Sequence, residues 1–373
     1  MLNWKRFQVS RLDKSDVDRA MATVTIRDVA KRAGVGIGTV SRVLNRNPNV
    51  SAATRQRILE AITELDFRPN LTAQRLSRGR TSVIGIIGPL FITESYVRRL
   101  QGVESILSNS DYDLVLFNVE TVEQRERVFQ RVARRERVDG LIIMSICPTE
   151  QEVLRLAAAG TPTVLVDAAH PQLNYVAVDD VAGGELATQH LLQLGHRKIG
   201  FMSDRLDDPL NFTANRDRLA GYQIALAEAG VDISPHYHVQ GHRGGQETRE
   251  MALKLLLSAD PPTAIFAASD THALGALEAA RELNLQVPTD LSVIGYDDIG
   301  VARHLRLTTI RQPLFETGVE GIQLLLALIN TAPAGLHQTW LPVDLVIRAT
   351  TAALSTHFQS NPSRRRLPTK PLN

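Results

Sequence analysis

The sequence has a single cysteine and no long apolar run. Cys147 is the only cysteine among 373 residues, which excludes an internal disulfide and a metal site built from several thiolates. No uncharged apolar stretch reaches the roughly 18 residues of a membrane-spanning helix, and residues 1–20 lack the apolar core of a secretory signal. These absences predict a protein of the cytoplasm that binds no membrane.

Motifs of cofactor chemistry are also missing. The sequence GIIG at residues 85–88 is too short for a dinucleotide fingerprint, and no phosphate-binding loop of the GxxxxGK type occurs. The histidines lack the paired spacing of metal ligands, and we interpret His196 in LGHRKIG as a helix-to-strand turn residue rather than a base. We therefore expect no catalytic residue, no cofactor and no metal ion. A sugar- or nucleoside-processing enzyme stays as an alternative, which turnover of such a compound would support.

The charge is nearly balanced overall, at +2, but it is unevenly distributed along the chain. Residues 23–81 carry 11 basic and 4 acidic side chains, whereas residues 82–355 carry 22 and 33, so the net charges are +7 and −11. A basic segment attracts polyanions with a strong dependence on salt. The two parts therefore have different partners, although a solvated basic surface would give the same charge count.

The basic segment begins with a pattern typical of a helix-turn-helix. A first helix follows Thr25, a good N-cap residue, and its apolar pattern stops at Gly34. Ala30, Gly34 and Val40 have the spacing at which a small residue lets two helices cross, a glycine makes the turn and an apolar residue packs the pair. In such motifs the start of the second helix faces base edges in the DNA major groove.

The start of this second helix is nearly bare. Gly36 and Gly38 carry no side chain, so the backbone can approach a surface closely. Arg42 lies one turn after Gly38 and could hydrogen-bond guanine O6 and N7, and Ile37 offers an apolar contact to a thymine methyl group. Together with the charge, this pattern predicts binding to duplex DNA.

A third helix and a linker complete the basic segment. Ser51 is the predicted N-cap of a helix with Ile58, Ile62 and Leu65 as its buried side. The linker RPNLTAQRLSRGRTS follows, and it is predicted to form a short helix. Leu76 lies among arginines there and suits a wedge in a kinked minor groove, although a plain tether is the alternative.

The sequences TIRDVAKRAGVGIGTVSRVLN at residues 25–45 and VSAATRQRILEAITELDFRPNLTAQRLSRGRTSVIGII at residues 50–87 resemble the head and hinge of the LacI/GalR family of bacterial transcription regulators. The resemblance extends to LPVDLVIRAT at residues 341–350 and covers about residues 23–353. It implies DNA contacts in three groups: Ile37, Gly38 and Arg42 in the major groove, Thr39, Asn45 and Thr54 at the backbone, and Asn70, Ala73 and Leu76 of the hinge in the minor groove. One departure is Gly36, where the family usually has a serine that contacts phosphate.

The acidic part alternates short apolar strands with helical stretches, which is typical of parallel α/β architecture. Strands are predicted at VIGII, DLVLFN, GLIIMS and TVLVD in one lobe and at KIGFM, TAIFAA and SVIGY in a second. The predicted fold is thus an all-α head and hinge helix joined to a two-lobed, periplasmic-binding-protein-like domain with parallel sheets. The expected segments are 1–22 (disordered extension or misassigned start), 23–68 (head), 69–81 (hinge), 82–353 (two lobes) and 354–373 (disordered basic tail). Lobe 1 is expected at 82–181 and 312–338, and lobe 2 at 182–311 and 339–353.

Ligands of such sheets bind beyond the carboxyl ends of the strands, in the cleft between the lobes. The candidate contacts are polar or aromatic residues at strand ends and helix starts, and positions implied by the resemblance: Tyr96, Ser145, Asp167, Arg218, Arg243, Ser269, Asp270 and Asp297. Each aspartate could instead cap a helix or join the lobes. Arg243 stands where relatives often have an aromatic residue, which suggests an anionic or unusually polar ligand.

These features predict a transcription regulator whose operator affinity is switched by a small molecule. Members of this family are most often repressors, and the expected small molecule is a sugar or sugar derivative. A homodimer that binds a near-palindromic operator is expected, because two symmetric heads match two half-sites. A solute-binding receptor is the alternative that shares the two-lobed fold.

Overall fold

The computed structural model describes residues 24–45, 47–67, 81–89, 93–132, 138–242, 244–331 and 335–354. The chain divides into two compact units, residues 1–80 and 81–373. The expected extension, hinge helix, basic tail and Arg243 lie outside the described residues.

The described residues of the first unit form three short helices, α1 (Ile26–Ala33), α2 (Ile37–Leu44) and α3 (Ala52–Glu64). Thr25 precedes α1, and its backbone N–H and its hydroxyl both donate to the Asp28 carboxylate, at 2.9 and 2.7 Å. Gly34 ends α1 with a left-handed backbone, φ +65°, as the turn of a helix-turn-helix requires. The predicted pair of helices and its turn are confirmed.

The three helices pack around a small apolar core. Its members are apolar residues from all three helices and the segment after α3: Val29, Ala30, Ala33, Val40, Val43, Ile58, Ala61 and Phe67. Ser51 begins α3, and its Oγ accepts the Thr54 N–H at 3.3 Å. Three residues were predicted to form the buried face of α3. Ile58 is fully buried, but Ile62 and Leu65 are only half-buried.

The described residues of the second unit form two six-stranded sheets, and we call the part built on each sheet a lobe. The first lobe has the strand order β11-β5-β4-β3-β1-β2. The strands are β1 (Val83–Gly88), β2 (Asp113–Asn118), β3 (Gly140–Met144), β4 (Thr163–Val166), β5 (Asn174–Val178) and β11 (Gln338–Leu341). All five pairings are parallel.

The second lobe has the order β12-β10-β9-β8-β6-β7. Its strands are β6 (Ile199–Asp204), β7 (His238–Gly241), β8 (Ala264–Ala267), β9 (Ser292–Asp297), β10 (Thr308–Arg311) and β12 (Asp344–Val346). Only the β10–β12 pairing is antiparallel among these. The expected two-lobed architecture with parallel sheets is confirmed.

Helices cover both faces of each sheet. The first lobe has α4 (Glu94–Leu107), α5 (Val122–Val132), α6 (Glu150–Ala159) and α12 (Leu314–Asn330), and the second has α7 (Asp180–Gln193), α8 (Ala214–Glu228), α9 (Gly245–Leu256), α10 (Asp270–Glu282) and the short α11 (Gly300–His304). A one-turn 3₁₀ helix spans Pro235–Tyr237. Because both faces are covered, the central strands are apolar throughout, as in the fully buried β3 and β4.

Several helix pairs approach so closely that only glycine fits at the crossing, and two of them show this most clearly. A Cβ atom on Gly318 of α12 would lie 2.0 Å from the Arg99 carbonyl oxygen of α4, and one on Gly221 of α8 would lie 2.0 Å from the Val181 carbonyl oxygen of α7. The missing side chains therefore set the helix spacing on one face of each sheet.

The chain crosses between the lobes three times, before α7, at residues 312–313 and at residues 342–343. The structure places residues 338–341 in the first sheet, where β11 pairs with β5. The third crossing therefore follows the expected lobe boundary at residue 338 by a few residues, because β11 extends the first sheet before the chain leaves it. Among the described residues, no helix is both long and apolar enough to cross a lipid bilayer.

Candidate functional sites

The start of α2 forms an exposed tip in the first unit. Ile37 is 44% exposed although it is a large apolar residue. Gly36, the N-cap, and Gly38 are also exposed, and a Cβ atom on either would meet no atom within 4 Å. Packing within the unit therefore does not require these glycines, and the bare backbone remains available to an external surface.

Arg42 lies along its own helix at this tip. Its Nε donates to the Gly38 carbonyl oxygen at 3.2 Å, and its Nη2 donates to Thr39 Oγ1 at 3.4 Å. Both bonds are long and exposed, so they exchange readily for stronger partners. Arg42 therefore contacts two of the other predicted DNA-binding residues, Gly38 and Thr39.

The other predicted DNA contacts have local partners or lie elsewhere. Asn45 Nδ2 lies 3.5 Å from Ser41 Oγ, one turn back along α2. Thr54 Oγ1 accepts from Ser51 Oγ at 2.9 Å in the first turn of α3. Asn70, Ala73 and Leu76 lie outside the described residues.

The second unit contains a cavity of about 450 Å³ between the lobes. Its wall includes five of the predicted residues, Tyr96, Ser145 and Asp167 from the first lobe and Arg218 and Asp297 from the second. The volume lies within the usual range for small-molecule sites.

Backbone conformation explains which strand-end residues reach the cavity. Ser145, Asp167 and Asp297 follow or end strands β3, β4 and β9 with positive φ angles of 64°, 64° and 111°. Such angles are uncommon for residues with side chains and concentrate at functional sites. Ser269 after β8 has an extended backbone, φ −153°, and leads directly into α10.

Ser269 and Asp270 are not among the residues that line the cavity, so the structure does not bring them together with the other predicted ligand contacts. Ser269 caps α10, where its Oγ accepts the His272 N–H at 3.3 Å. Asp270 is fully buried and accepts from Thr309 Oγ1 at 2.6 Å and from the Ile299 N–H at 2.9 Å. Burial and the neighbouring Asp297 raise the pKa of the Asp270 carboxyl well above its usual value. Its role is to join α10 to β10 and to the segment after β9.

A buried ion pair forms the wall on the side of the first lobe. Arg99 of α4 donates through Nη2 to Asp167 Oδ1 at 2.5 Å and to Gln312 Oε1 at 2.8 Å. Ser145 Oγ donates to Asp167 Oδ2 at 2.7 Å. Burial raises the pKa of the Asp167 carboxyl, and the Arg99 guanidinium opposes that shift.

Arg218 of α8 forms the wall on the side of the second lobe. Its Nε donates to Asp180 Oδ1 at 2.8 Å, its Nη1 donates to the Ala268 carbonyl oxygen at 2.6 Å, and its Nη2 lies 3.9 Å from Asp297 Oδ1. The guanidinium also stacks 3.8 Å from the centre of the Tyr296 ring. Burial alone would lower the pKa of Arg218, but Asp180, Tyr296 and Asp297 raise it above its usual value, so the side chain stays charged.

Gln312, at the second crossing, connects these two walls. Its Oε1 accepts from Arg99, and its Nε2 donates to Asp297 Oδ1 at 2.6 Å. A hydrogen-bonded chain therefore runs from Asp167 in the first lobe to Asp297 in the second, along the cavity wall.

Several residues of the wall were missed by the sequence analysis. They are polar or aromatic residues on helices, loops and one further strand end: Arg99, Asp204, Arg205, Asp208, Phe212, Asn215, His242 and Gln312. Asp204 ends β6, so the rule that selected the other strand ends would have found it. Arg99 lies one turn after Tyr96 on α4, which was a second available signal.

The cavity offers mixed charge and two aromatic rings. Three arginines and four aspartates line it, Arg99, Arg205, Arg218, Asp167, Asp204, Asp208 and Asp297. Tyr96 and Phe212 supply aromatic faces, and burial raises the pKa of Tyr96 to about 12, so its hydroxyl remains a hydrogen-bond donor. Within the described residues, no group of three or more His, Cys, Asp or Glu side chains could hold a metal ion.

Comparison with known proteins places both units. Residues 25–70 match the lacI family of bacterial regulatory proteins, and residues 188–351 match a periplasmic binding protein-like domain. Catabolite control protein A of Priestia megaterium is 34% identical over 332 residues, covering 88% of this chain and 99% of that protein. The transcriptional repressor PurR of Haemophilus influenzae strain PittEE is 34% identical over 318 residues, covering 84% and 94%.

Solved structures of similar fold belong to the same class of transcription regulators. The lac repressor dimer bound to operator and the anti-inducer ONPF has a TM-score of 0.78 at 31% identity, covering 88% of this chain and 99% of that one. A complex of the transcriptional regulator CelR with cellobiose has a TM-score of 0.65 at 32% identity with the same coverage. The helix-turn-helix head and the two-lobed domain with its cavity define a DNA-binding transcription regulator that carries a ligand-binding domain. The chain belongs to the lacI family of bacterial regulatory proteins.

Proposed function

We propose that this regulator acts as a repressor whose operator affinity is set by a neutral sugar bound in the cavity between the lobes. The cavity wall carries the proposal, because carboxylates, an amide and guanidinium groups beside aromatic rings match the hydroxyl groups and apolar faces of a sugar. CelR, a relative of similar architecture, is described as a complex with cellobiose.

Charge favours a neutral ligand over an anionic one. Four aspartates and three arginines face the cavity, and Arg99 and Arg218 are already paired with Asp167 and Asp180. An added carboxylate or phosphate would meet more negative than positive charge. The suggestion of an anionic ligand rests on Arg243 alone, and an unchanged affinity in Arg243→Ala would remove it.

DNA binding is assigned to the first unit. Ile37, Gly38 and Arg42 would contact bases in the major groove, and Thr39, Asn45 and Thr54 would contact the backbone. Asn70, Ala73 and Leu76 would widen the minor groove. A homodimer that binds a near-palindromic operator supplies two such heads. The exposed, sterically unrestrained tip of α2 supports this assignment.

Calorimetric titration of the full chain against glucose, ribose, cellobiose, their phosphates and purines tests the ligand class. Binding of a neutral sugar that changes operator affinity supports the proposal, whereas binding of phosphates or purines alone contradicts it. Binding without any preference for an operator duplex would favour a solute receptor, and turnover would favour an enzyme.

Arg218→Ala provides the matching variant. It should lose the sugar response and keep operator binding, because Arg218 lies in the second unit. Arg249→Ala is the control, since Arg249 pairs with Glu282 away from the cavity wall. A variant Arg218→Ala that still responds to the sugar would exclude this residue from the site.

A further inference from the structure

Four side chains of the second lobe form a chain that runs from the interior to the cavity wall. Ser269 Oγ lies 2.7 Å from His272 Nδ1, and His272 Nε2 lies 3.4 Å from Asp204 Oδ1. Asp204 Oδ2 accepts from Asn215 Nδ2 at 3.2 Å. Asp204 and Asn215 line the cavity, whereas Ser269 and His272 are buried behind it.

One arrangement of protons suits all three contacts, of which the 3.4 Å approach of His272 Nε2 to Asp204 Oδ1 is an electrostatic contact rather than a formed hydrogen bond. Ser269 Oγ already accepts the His272 N–H, so its hydroxyl proton is available for Nδ1. An imidazole that accepts at Nδ1 carries its proton on Nε2, which then faces Asp204. A carboxylate only accepts, so the NH₂ group of Asn215 must face Asp204 and its Oδ1 must face away from it.

The outer end of this chain lacks a partner. Asn215 is 6% exposed, and its Oδ1 has no hydrogen-bond partner among the described residues. A buried acceptor without a partner is unfavourable, because it has lost its hydrogen bonds to water. Because Asn215 belongs to the cavity wall, a bound ligand can supply the missing donor.

We propose that Asn215 accepts a hydrogen bond from a hydroxyl group of the effector, and that His272 is a positioning residue that orients Asn215 through Asp204. A hydroxyl or N–H group can donate to Oδ1, whereas an ionised phosphate or carboxylate cannot. The inference rests on the proposed sugar-binding function and goes further, because it names the residues that select for a donor at one position of the ligand.

The first test compares His272→Leu and His272→Gln in the full chain, by calorimetry with glucose, ribose and cellobiose. Leucine fills the space but releases Asp204, and we expect affinity for the bound sugar to fall by about 10–100-fold. Glutamine keeps an N–H donor for Asp204 and should remain within about 3-fold of the wild type. His190→Leu is the control, since His190 is also buried but bonds Thr351 outside the cavity wall.

The second test separates positioning from a general structural effect. For the sugar that binds, each monodeoxy analogue is titrated against the wild type and His272→Leu. The analogue that lacks the sugar hydroxyl bound by Asn215 should bind the wild type weakly. The substitution His272→Leu should reduce the affinity for this analogue no further. Equal weakening of every analogue would overturn the proposal. Asn215→Ala should reproduce the pattern if His272→Leu folds poorly.

The outcomes also separate this inference from the proposed function. If wild-type protein binds none of the three sugars, the sugar proposal fails and this inference fails with it. If a sugar binds and both His272→Leu and Asn215→Ala retain its affinity, the function stands and the inference alone is wrong.

Discussion

Gly34 and Gly36, two neighbouring glycines at the helix-turn-helix, have different physical roles. Gly34 has φ +65°, where a side chain is strained, whereas Gly36 has φ −76° and open space around its Cβ position. Only Gly34 is therefore required by the fold. Gly36 must be explained by what approaches α2 from outside.

Gly36→Ser should tighten operator binding and leave the fold intact. The new hydroxyl can cap α2, which changes stability by only a few tenths of a kcal/mol, and can donate to a phosphate, which contributes about 0.5–1.5 kcal/mol. Fluorescence anisotropy with an operator duplex selected from a random pool measures the affinity. Gly34→Ser is the contrasting variant and should lower the free energy of unfolding by about 1 kcal/mol. Weaker DNA binding by Gly36→Ser would show that the backbone itself needs the space.

Arg42→Ala should lower specific DNA binding by roughly 1–3 kcal/mol and relax the preference at one base of each half-site. The two long bonds of Arg42 to its own helix are easily replaced by guanine. Arg32→Ala is the control for charge, because Arg32 is exposed and paired with Glu64. Equal losses on operator and random duplex would assign Arg42 to the phosphates instead.

The cavity residues show how far sequence reasoning reaches at this scale. Ser145, Asp167 and Asp297 could be selected because each lies at the end of a buried parallel strand. Ser269 met the same criterion but lies outside the cavity wall, and its backbone is extended whereas the other three have positive φ angles, which the neighbouring residues do not specify. Arg99 could not be selected by this criterion, because its partners Asp167 and Gln312 are distant in sequence.

At the scale of the elements, apolar runs in the sequence predicted the central strands but did not reveal the other strands. The seven predicted strands are present, whereas β5, β7, β10, β11 and β12 were not identified. Strand β10 reads TTIR, and its two threonines are fully buried. Thr309 donates to Asp270, and Thr308 lies 3.1 Å from Thr351 Oγ1. Distant partners make this polar strand a buried one, so a local pattern could not reveal it.

The turn between α7 and β6 contains a histidine that should make stability depend on pH. His196 is 1% exposed, and its Nε2 donates to the Ala352 carbonyl oxygen at 3.1 Å. Burial lowers the pKa of His196 below 6.5. The unfolded chain therefore takes up a proton first as pH falls through 6.5, and the free energy of unfolding decreases until the folded state is protonated too.

Chemical denaturation between about pH 7.5 and pH 5.5 tests this effect. His196→Gln retains a donor for Ala352 but does not titrate, so its free energy of unfolding should fall less over this range than that of the wild type. Because His190 and His238 also have pKa values lowered by burial, the difference between the two curves is the quantity to compare. Identical pH slopes would contradict the assignment.

At the scale of the whole second unit, a loop of the second lobe is held by the first lobe. Leu210, between β6 and α8, is 3% exposed and packs in the apolar core of the first lobe. Arg125 forms a buried two-point ion pair with Glu152 and donates to the Leu210 carbonyl oxygen at 2.5 Å. The Cys147 N–H donates to the Asn211 carbonyl oxygen at 3.2 Å. These contacts exist only while the lobes are together.

Leu210→Ala should therefore favour separation of the lobes, and Cys147 provides the measurement. Its thiol is partly covered and burial raises its pKa, so both effects slow its reaction with a thiol reagent. As the only cysteine of the chain, it gives an unambiguous signal, and Leu210→Ala should react several-fold faster. Leu154→Ala, at a side chain that is 66% exposed, is the matched control. Unchanged reactivity in Leu210→Ala would mean that Leu210 does not hold the lobes together.

The three crossings also bear on synthesis at the ribosome. The first sheet is completed by β11 and covered by α12, and the second by β10 and β12, so both lobes need segments after residue 300. Neither lobe can finish folding until nearly the whole polypeptide has emerged, whereas α1 to α3 need only the first seventy or so residues. A nascent chain would thus carry a folded head, able to bind nucleic acid, before any effector could control it.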